Sequence, residues 1–295
     1  MENLIKFPSL GRETLRDFKK SIDGSFRDFS RSHGEGIENF FEPLLHFLVW
    51  FEKILTNSPW PIVIGAIAFL TWKASKKISL VLGTIFAFVT IGLFGMWKDT
   101  MSTLAIISVA TLLCLLMGAP IGILMAKSNR ASTFISPILD TMQTIPTFVY
   151  LIPIIMLLGI GKVPGLIAVC IYAIPPVVRL TNLGIREVNS KLVEAGKALG
   201  LSKLVILYKI EFPLALPSIM TGVNQTIMMS LSMVVIASMI GVTGLGLPIL
   251  RSISNQYLAL GLMNGLAIVA LAVIFDRISQ HYAKRIQKHK EVSRK

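Results

Sequence analysis

The feature that most limits this chain is a series of long stretches almost free of charge. Residues 78–96, 101–126, 134–160, 163–180, 217–240 and 258–275 are apolar runs that approach or exceed the length needed to cross a bilayer. Only 15% of the 295 residues are charged, and 53% are hydrophobic. Soluble domains carry about a quarter charged residues. The pattern predicts an all-α polytopic membrane protein, since a helix satisfies every backbone group within its own segment. Trp60 and Trp72 bound a further run, 59–75 with its flanks, whose eleven intervening residues rise only about 17 Å as helix. With it the count is about seven transmembrane helices.

Proline marks which of these spans are straight. Pro120 predicts a kink in the third. Pro137, Pro146 and Pro153 predict that the fourth is bent or broken. Pro175 and Pro176 lie near the inner end of the fifth.

Before the spans, residues 1–36 are polar, and Gly11, Gly24, Gly34 and Gly36 are expected to break any long helix there. This stretch reads as a mobile or surface-bound tail with no signal peptide, so the first span would serve as insertion signal. Residues 37–56 place Ile37, Phe40, Phe41, Leu44, Leu48, Phe51 and Leu55 at helical spacing, while Glu52 and Lys53 argue against a span. They predict an amphipathic helix lying on the membrane. The chain thus divides into a tail with interfacial helix (1–58), two N-terminal spans (59–97), a five-span core (98–281) and a basic cytoplasmic tail (282–295).

The net charge of +13 is unevenly spread: residues 1–58 hold eight Lys/Arg against nine Asp/Glu, the remainder 21 against seven. The basic residues sit in short loops between spans, which points to topology and not to nucleic acid. If the loop around 187–212 is cytoplasmic, the loops on its side carry eighteen Lys/Arg and the opposite loops only Lys98, Lys162 and Arg251. That bias puts the C-terminus inside and, with seven spans, the N-terminus outside.

The runs hold little chemistry. Cys114 and Cys170 read as small buried hydrophobes, and no His or Cys spacing suggests a metal. No GxxxxGK[ST] motif is present, and the run Gly241-Val242-Thr243-Gly244-Leu245-Gly246 reads as a tight turn with close helix approach. Asp140, Arg179 and Asp276 lie at span ends and make no proton relay. A transporter built this way takes its energy from a partner. Gln143 in the fourth span, with Asn224, Gln225, Met228 and Met229 in the sixth, are either path lining or, for the polar ones, glue between helices, and for Met gap filler.

The interruption at 187–217, EVNSKLVEAGKALGLSKLVILYKIEFPLALP, is where a partner would dock. Leu192, Ala195 and Leu199 fall at i, i+3 and i+7, opposite Lys191, Glu194 and Lys197, which predicts a short amphipathic helix. Gly200 ends it, and Ser202 starts a second piece as N-cap. The spacing Glu194-Ala195-Gly196, Gly200, nine residues, Ile210, then Phe212-Pro213 resembles the cytoplasmic coupling signature of ATP-binding-cassette (ABC) importer permeases, with Gly196 in place of an alanine.

Three further stretches, LDTMQTIPTFVYLIPIIMLLGIGKVPG (139–165), IPPVVRLTNLGI (174–185) and GVNQTIMMSLSMVVIASMIGVTGLG (222–246), resemble permeases of glycine betaine, proline betaine and choline importers. The resemblance implies a type I ABC importer permease fold in a bacterial inner membrane and an osmoprotectant or choline as cargo. It also implies a second copy of the chain, a cytoplasmic ATP-binding subunit that holds the ATP, and a separate external or periplasmic substrate-binding protein. On that resemblance Glu194, Ala195, Gly196, Gly200, Ile210 and Pro213 carry ATPase coupling, and the chain itself is no enzyme. A permease for another small solute, or a secondary carrier or channel, would share the hydropathy.

Overall fold

A computed structural model gives the fold over residues 10–292, with side chains described through residue 283. From residue 284 on, the basic tail expected at 282–295 has no described side chains. No strand occurs among the described residues. The helices are α1 (Arg12–Asn57), α2 (Trp60–Ser75), α3 (Ile78–Leu93), α4 (Trp97–Lys127), α5 (Asn129–Thr144), α6 (Thr147–Leu158), α7 (Lys162–Arg186), α8 (Ser190–Ala198), α9 (Lys203–Ile206), α10 (Phe212–Ala237), α11 (Gly246–Asn255) and α12 (Leu258–Val292).

Each apolar run is helical, the fourth as two helices. Among the described residues four stretches are long and apolar enough to cross a membrane unaided: α4, α7, Lys203–Ile240 (which includes α10), and the Leu258–Ala283 part of α12. The expected break in the fourth run lies between α5 and α6, which are bent by 99°. Its cause is Pro146: a proline forces the preceding residue out of the helical region, and Ile145 is extended at φ −64°, ψ 128°. The two 16-residue helices α2 and α3 each rise about 24 Å, less than the roughly 30 Å of hydrocarbon.

At the centre, α7 packs along α10, α4 along α7, and α12 along the far side of α10. Small residues permit the α7–α10 crossing. A Cβ on Gly222 would lie 3.1 Å from the Cα of Val177, and one on Gly184 would lie 2.7 Å from the Cβ of Ser218. Backbones this close trade side-chain volume for dispersion contact, which drives association where lipid competes for apolar surface. Met101, Ile106, Leu166, Met233 and Leu271 fill the core.

The N-terminal region differs from the sequence expectation. Residues 12–57 form one 46-residue helix, so Gly24, Gly34 and Gly36 do not break it. A mid-helix glycine costs about 1 kcal/mol, a preference that tertiary contact overrides. Here the contact is visible: Gly34 and Leu48 are buried, and Ser30 Oγ donates to the Met156 carbonyl at 2.6 Å, binding α1 to α6. Gly34 also lets the helices approach, since a Cβ there would sit 3.3 Å from the Leu157 carbonyl oxygen. Phe18, Ile22, Phe29, Phe40, Phe47 and Ile54 remain exposed on a second, apolar face. A 108° bend at 58–59 separates α1 from α2, so α1 lies along the surface if α2 crosses it. Glu52, whose charge suggested a solvent-facing position, is buried.

Candidate coupling elbow and transport path

The elbow begins where α7 stops at Arg186. Asn189 caps α8, its side chain accepting from the Lys191 amide at 3.0 Å. At the other end the Leu201 amide bonds the Gly196 carbonyl and the Gly200 amide bonds that of Lys197. This paired closure requires a left-handed residue, and Gly200 supplies it at φ +73°. Ser202 caps α9 as expected, accepting from the Val205 amide. The chain then widens into a π turn over Leu207–Glu211 before α10. Pro213 has no N–H to offer the Lys209 carbonyl, and the ladder passes to the Phe212 amide, which reaches Leu207.

Two of the signature residues meet here. A Cβ on Gly196 would lie 2.8 Å from Ile210 Cδ1 and 3.4 Å from Ile206 Cγ1, so Gly196 is where the arms of the elbow touch. That burial sets the orientation of α8. Gly196 is buried and Val193 half-buried, while Leu192, Ala195 and Leu199 face out, Leu199 at 80% exposure. Leu204 and Tyr208 (68%) are also exposed. Glu194 is exposed beside them, and Pro213 sits in the first turn of α10.

Sequence reasoning missed what fastens the elbow to the bundle. Glu211, only 5% exposed, pairs with Lys127 at the end of α4. Arg186 donates to Asn129 Oδ1 at 2.9 Å and to the Met125 carbonyl at 2.6 Å, tying α7 to the α4–α5 junction. A cavity of about 300 Å³ between these groups is lined in part by Lys127, Arg186, Glu194, Lys197 and Glu211. The only signal in the sequence was a carboxylate standing just before the Phe212-Pro213 start of an apolar run.

The candidate path residues divide. Gln225 and Met228 lie on an exposed stripe of α10 with Thr221 and Ser232. Gln143 is exposed on α5, one turn from Asp140, which pairs with Arg179. Asn224 turns the other way and donates to Asp276 Oδ1 on α12 at 2.8 Å, acting as glue between helices. Met229 is half-buried against a cluster of Cys114, Ala173 and Val177. No group of three or more potential metal ligands occurs among the described residues.

Comparison with known proteins shows the family. Residues 118–288 match the family model described as binding-protein-dependent transport system inner membrane component. The Escherichia coli (strain K12) glycine betaine/proline betaine transport system permease protein ProW is 46% identical over 81% of this chain and 67% of its own length. The glycine betaine transport system permease protein OpuAB of Bacillus subtilis (strain 168) is 37% identical over 95% of this chain and 96% of its own. This chain therefore spans about two thirds of ProW and nearly all of OpuAB. Among solved structures, the inward-facing MetNI methionine ABC transporter superposes with a TM-score of 0.58 at 18% identity, covering 66% of this chain and 97% of that one, which shows a shared fold. The chain belongs to the family of inner-membrane components of binding-protein-dependent transport systems, and is a multi-pass permease subunit of an ABC importer.

Proposed function

We propose that this permease imports glycine betaine or a related quaternary or methylated amine, and that a separate cytoplasmic ATPase drives it through the 187–212 elbow. The observation that carries the substrate class is the 37% identity to a glycine betaine permease along nearly the whole chain. The elbow supports the coupling role: its apolar residues Leu192, Leu199, Leu204 and Tyr208 face outward, a surface for a partner that the chain does not cover. Glu194, Ala195, Gly196, Gly200, Ile210 and Pro213 form or flank that knob. ATP is held by the partner.

The stripe of Thr221, Gln225, Met228 and Ser232, with Gln143 on α5, lines the path at the seam with a second copy of the chain. An external binding protein delivers the substrate to the opposite end. The charge bias of the loops supports a cytoplasmic elbow and C-terminus, with the N-terminus outside.

The test is a mild-detergent pull-down of the tagged chain from native membranes, followed by uptake of labelled glycine betaine. The expected result is co-purification of an ATP-binding subunit that is lost when Glu194 and Gly200 are altered. Uptake should be competed by choline or carnitine and not by methionine. A chain that comes down alone overturns the coupling reading. Competition by methionine and not by methylated amines overturns the substrate class.

A further inference from the structure

At the end of the bundle far from the elbow, several chain ends converge on one carboxylate. Glu52 of α1 is only 8% exposed. Ser102 Oγ of α4 donates to its Oε1 at 2.7 Å, Lys162 Nζ of α7 reaches its Oε2 at 2.5 Å, and Thr243 Oγ1 lies 3.5 Å from Oε1. The turn that carries Thr243 is itself clamped. The Leu245 amide donates to Thr103 Oγ1 at 2.9 Å, and the Gly161 amide donates to the Ile240 carbonyl at 2.9 Å. Gly244, at φ +129°, lies so close to α4 that a Cβ would sit 3.2 Å from the Thr103 nitrogen. One side chain therefore joins the starts of α4 and α7 and the turn after α10.

A carboxylate taken out of water is stable only where charge and hydrogen bonds replace the lost solvent. Glu52 meets that condition solely while these three elements keep their present spacing. The rest of α1 follows the same body: Ser30 and Gly34 bind the end of α6, and Leu48 is buried in the core. The next helix turns away from α1, although its Val63 and Ile64 share the same core. After the 108° bend, α2 packs on α3 and α12.

We propose that α1 belongs to the body of the permease that switches during transport, and that Glu52 is the positioning residue that locks α1, α4, α7 and the 241–246 turn into one rigid end. The inference rests on the importer reading above, so coupled uptake by the wild-type transporter is read first, and its absence would overturn that reading alone.

The experiment uses the assembled transporter, with ATPase and binding protein, in liposomes. Glu52→Gln keeps an acceptor for Ser102 and removes the charge, and Lys162→Met removes the partner. The reading is substrate imported per ATP hydrolysed, beside the amount of transporter present. The expected result is at least a three-fold fall in that ratio in each variant, with the double variant no worse than the singles because both remove one interaction. A merely structural role would lower uptake and hydrolysis together and leave the ratio unchanged, which would overturn the proposal, as would a double variant whose losses multiply. A second measurement covers variants that assemble poorly. Spin labels on His46→Cys of α1 and Ile253→Cys of α11, both exposed, should keep one separation in the wild-type transporter with and without trapped nucleotide. A shift of several ångströms between the two states would show that α1 does not move with the core, and would overturn the proposal.

Discussion

The two ends of this permease are each fastened by a buried carboxylate paired with a lysine, Glu211 with Lys127 at the elbow and Glu52 with Lys162 at the far end. Helix α4 runs between them, contributing Lys127 at one end and Ser102 at the other. Beyond that likeness the ends differ. At the far end the turn is pressed against α4 and the Glu52 carboxylate is answered by Ser102 and Lys162, although Ile160, Ile253 and Leu258 around it stay exposed. The elbow leaves leucines and a tyrosine in the open, and its two arms meet most closely at Gly196. Bonds that join several elements at one carboxylate suit a part moving as one piece, and an outward apolar knob suits a part that meets another subunit.

Substitutions sharpen the contrast. The largest effect is expected from Gly200→Val. The left-handed backbone there costs an L-residue about 1–2 kcal/mol, more for a β-branched one, and the relief would be to reorient α9 against α8. Uptake should fall at least ten-fold with normal membrane insertion, as followed by labelled substrate and immunoblot; intact uptake would break the distinction between the two ends.

Next come the ion pairs, where the order of severity is diagnostic. Lys127→Met leaves Glu211 buried without a partner and should destabilise by about 3 kcal/mol. Glu211→Gln leaves only Lys127, which is 43% exposed and can return to water, so about 1 kcal/mol is expected. Thermal unfolding of the two variants in detergent gives the comparison, and equal losses would contradict the burial assigned to Glu211.

At the far end Gly244→Ala combines left-handed strain with a 2.5 Å clash against Thr103 Oγ1, the acceptor of the Leu245 amide, and should cost roughly 1–3 kcal/mol in the same assay. Gly24→Ala, where nothing lies within 4 Å, should instead stabilise α1 by about 0.5–1 kcal/mol. The smallest effect is expected at the elbow contact. Gly196→Ala adds a methyl against the far end of the flexible Ile210 side chain while improving helix propensity, so stability and uptake should stay within about two-fold of the parent.

Much of this was legible in the sequence for a local reason. The apolar runs, the Pro146 break, the Gly200 stop and the Ser202 cap are decided within a few residues of themselves, and the structure has each of them. What was not legible depends on distant chain. The glycines of α1 sit in a helix because α6 and the core hold it. The pairs Glu211–Lys127 and Glu52–Lys162 join residues 84 and 110 positions apart. Periodicity showed that α8 has two faces, one apolar and one charged, but nothing in the spacing says which face meets the bundle, and the structure buries Gly196 while Leu192 and Leu199 face out. Asn224 and Gln225, adjacent in sequence, differ in direction by one helical step, and only the position of α12 separates the residue that bonds Asp276 from the one that stays exposed.

The 110-residue gap between Glu52 and its lysine also sets an order of events during synthesis. A ribosome making about 5–20 residues per second needs roughly 5–20 seconds to travel from one to the other. Partway through that interval α4 emerges and brings Ser102 to the carboxylate, but no cation answers Glu52 until α7 follows. The docking of α1 is therefore one of the later steps of assembly, although it is the first helix made.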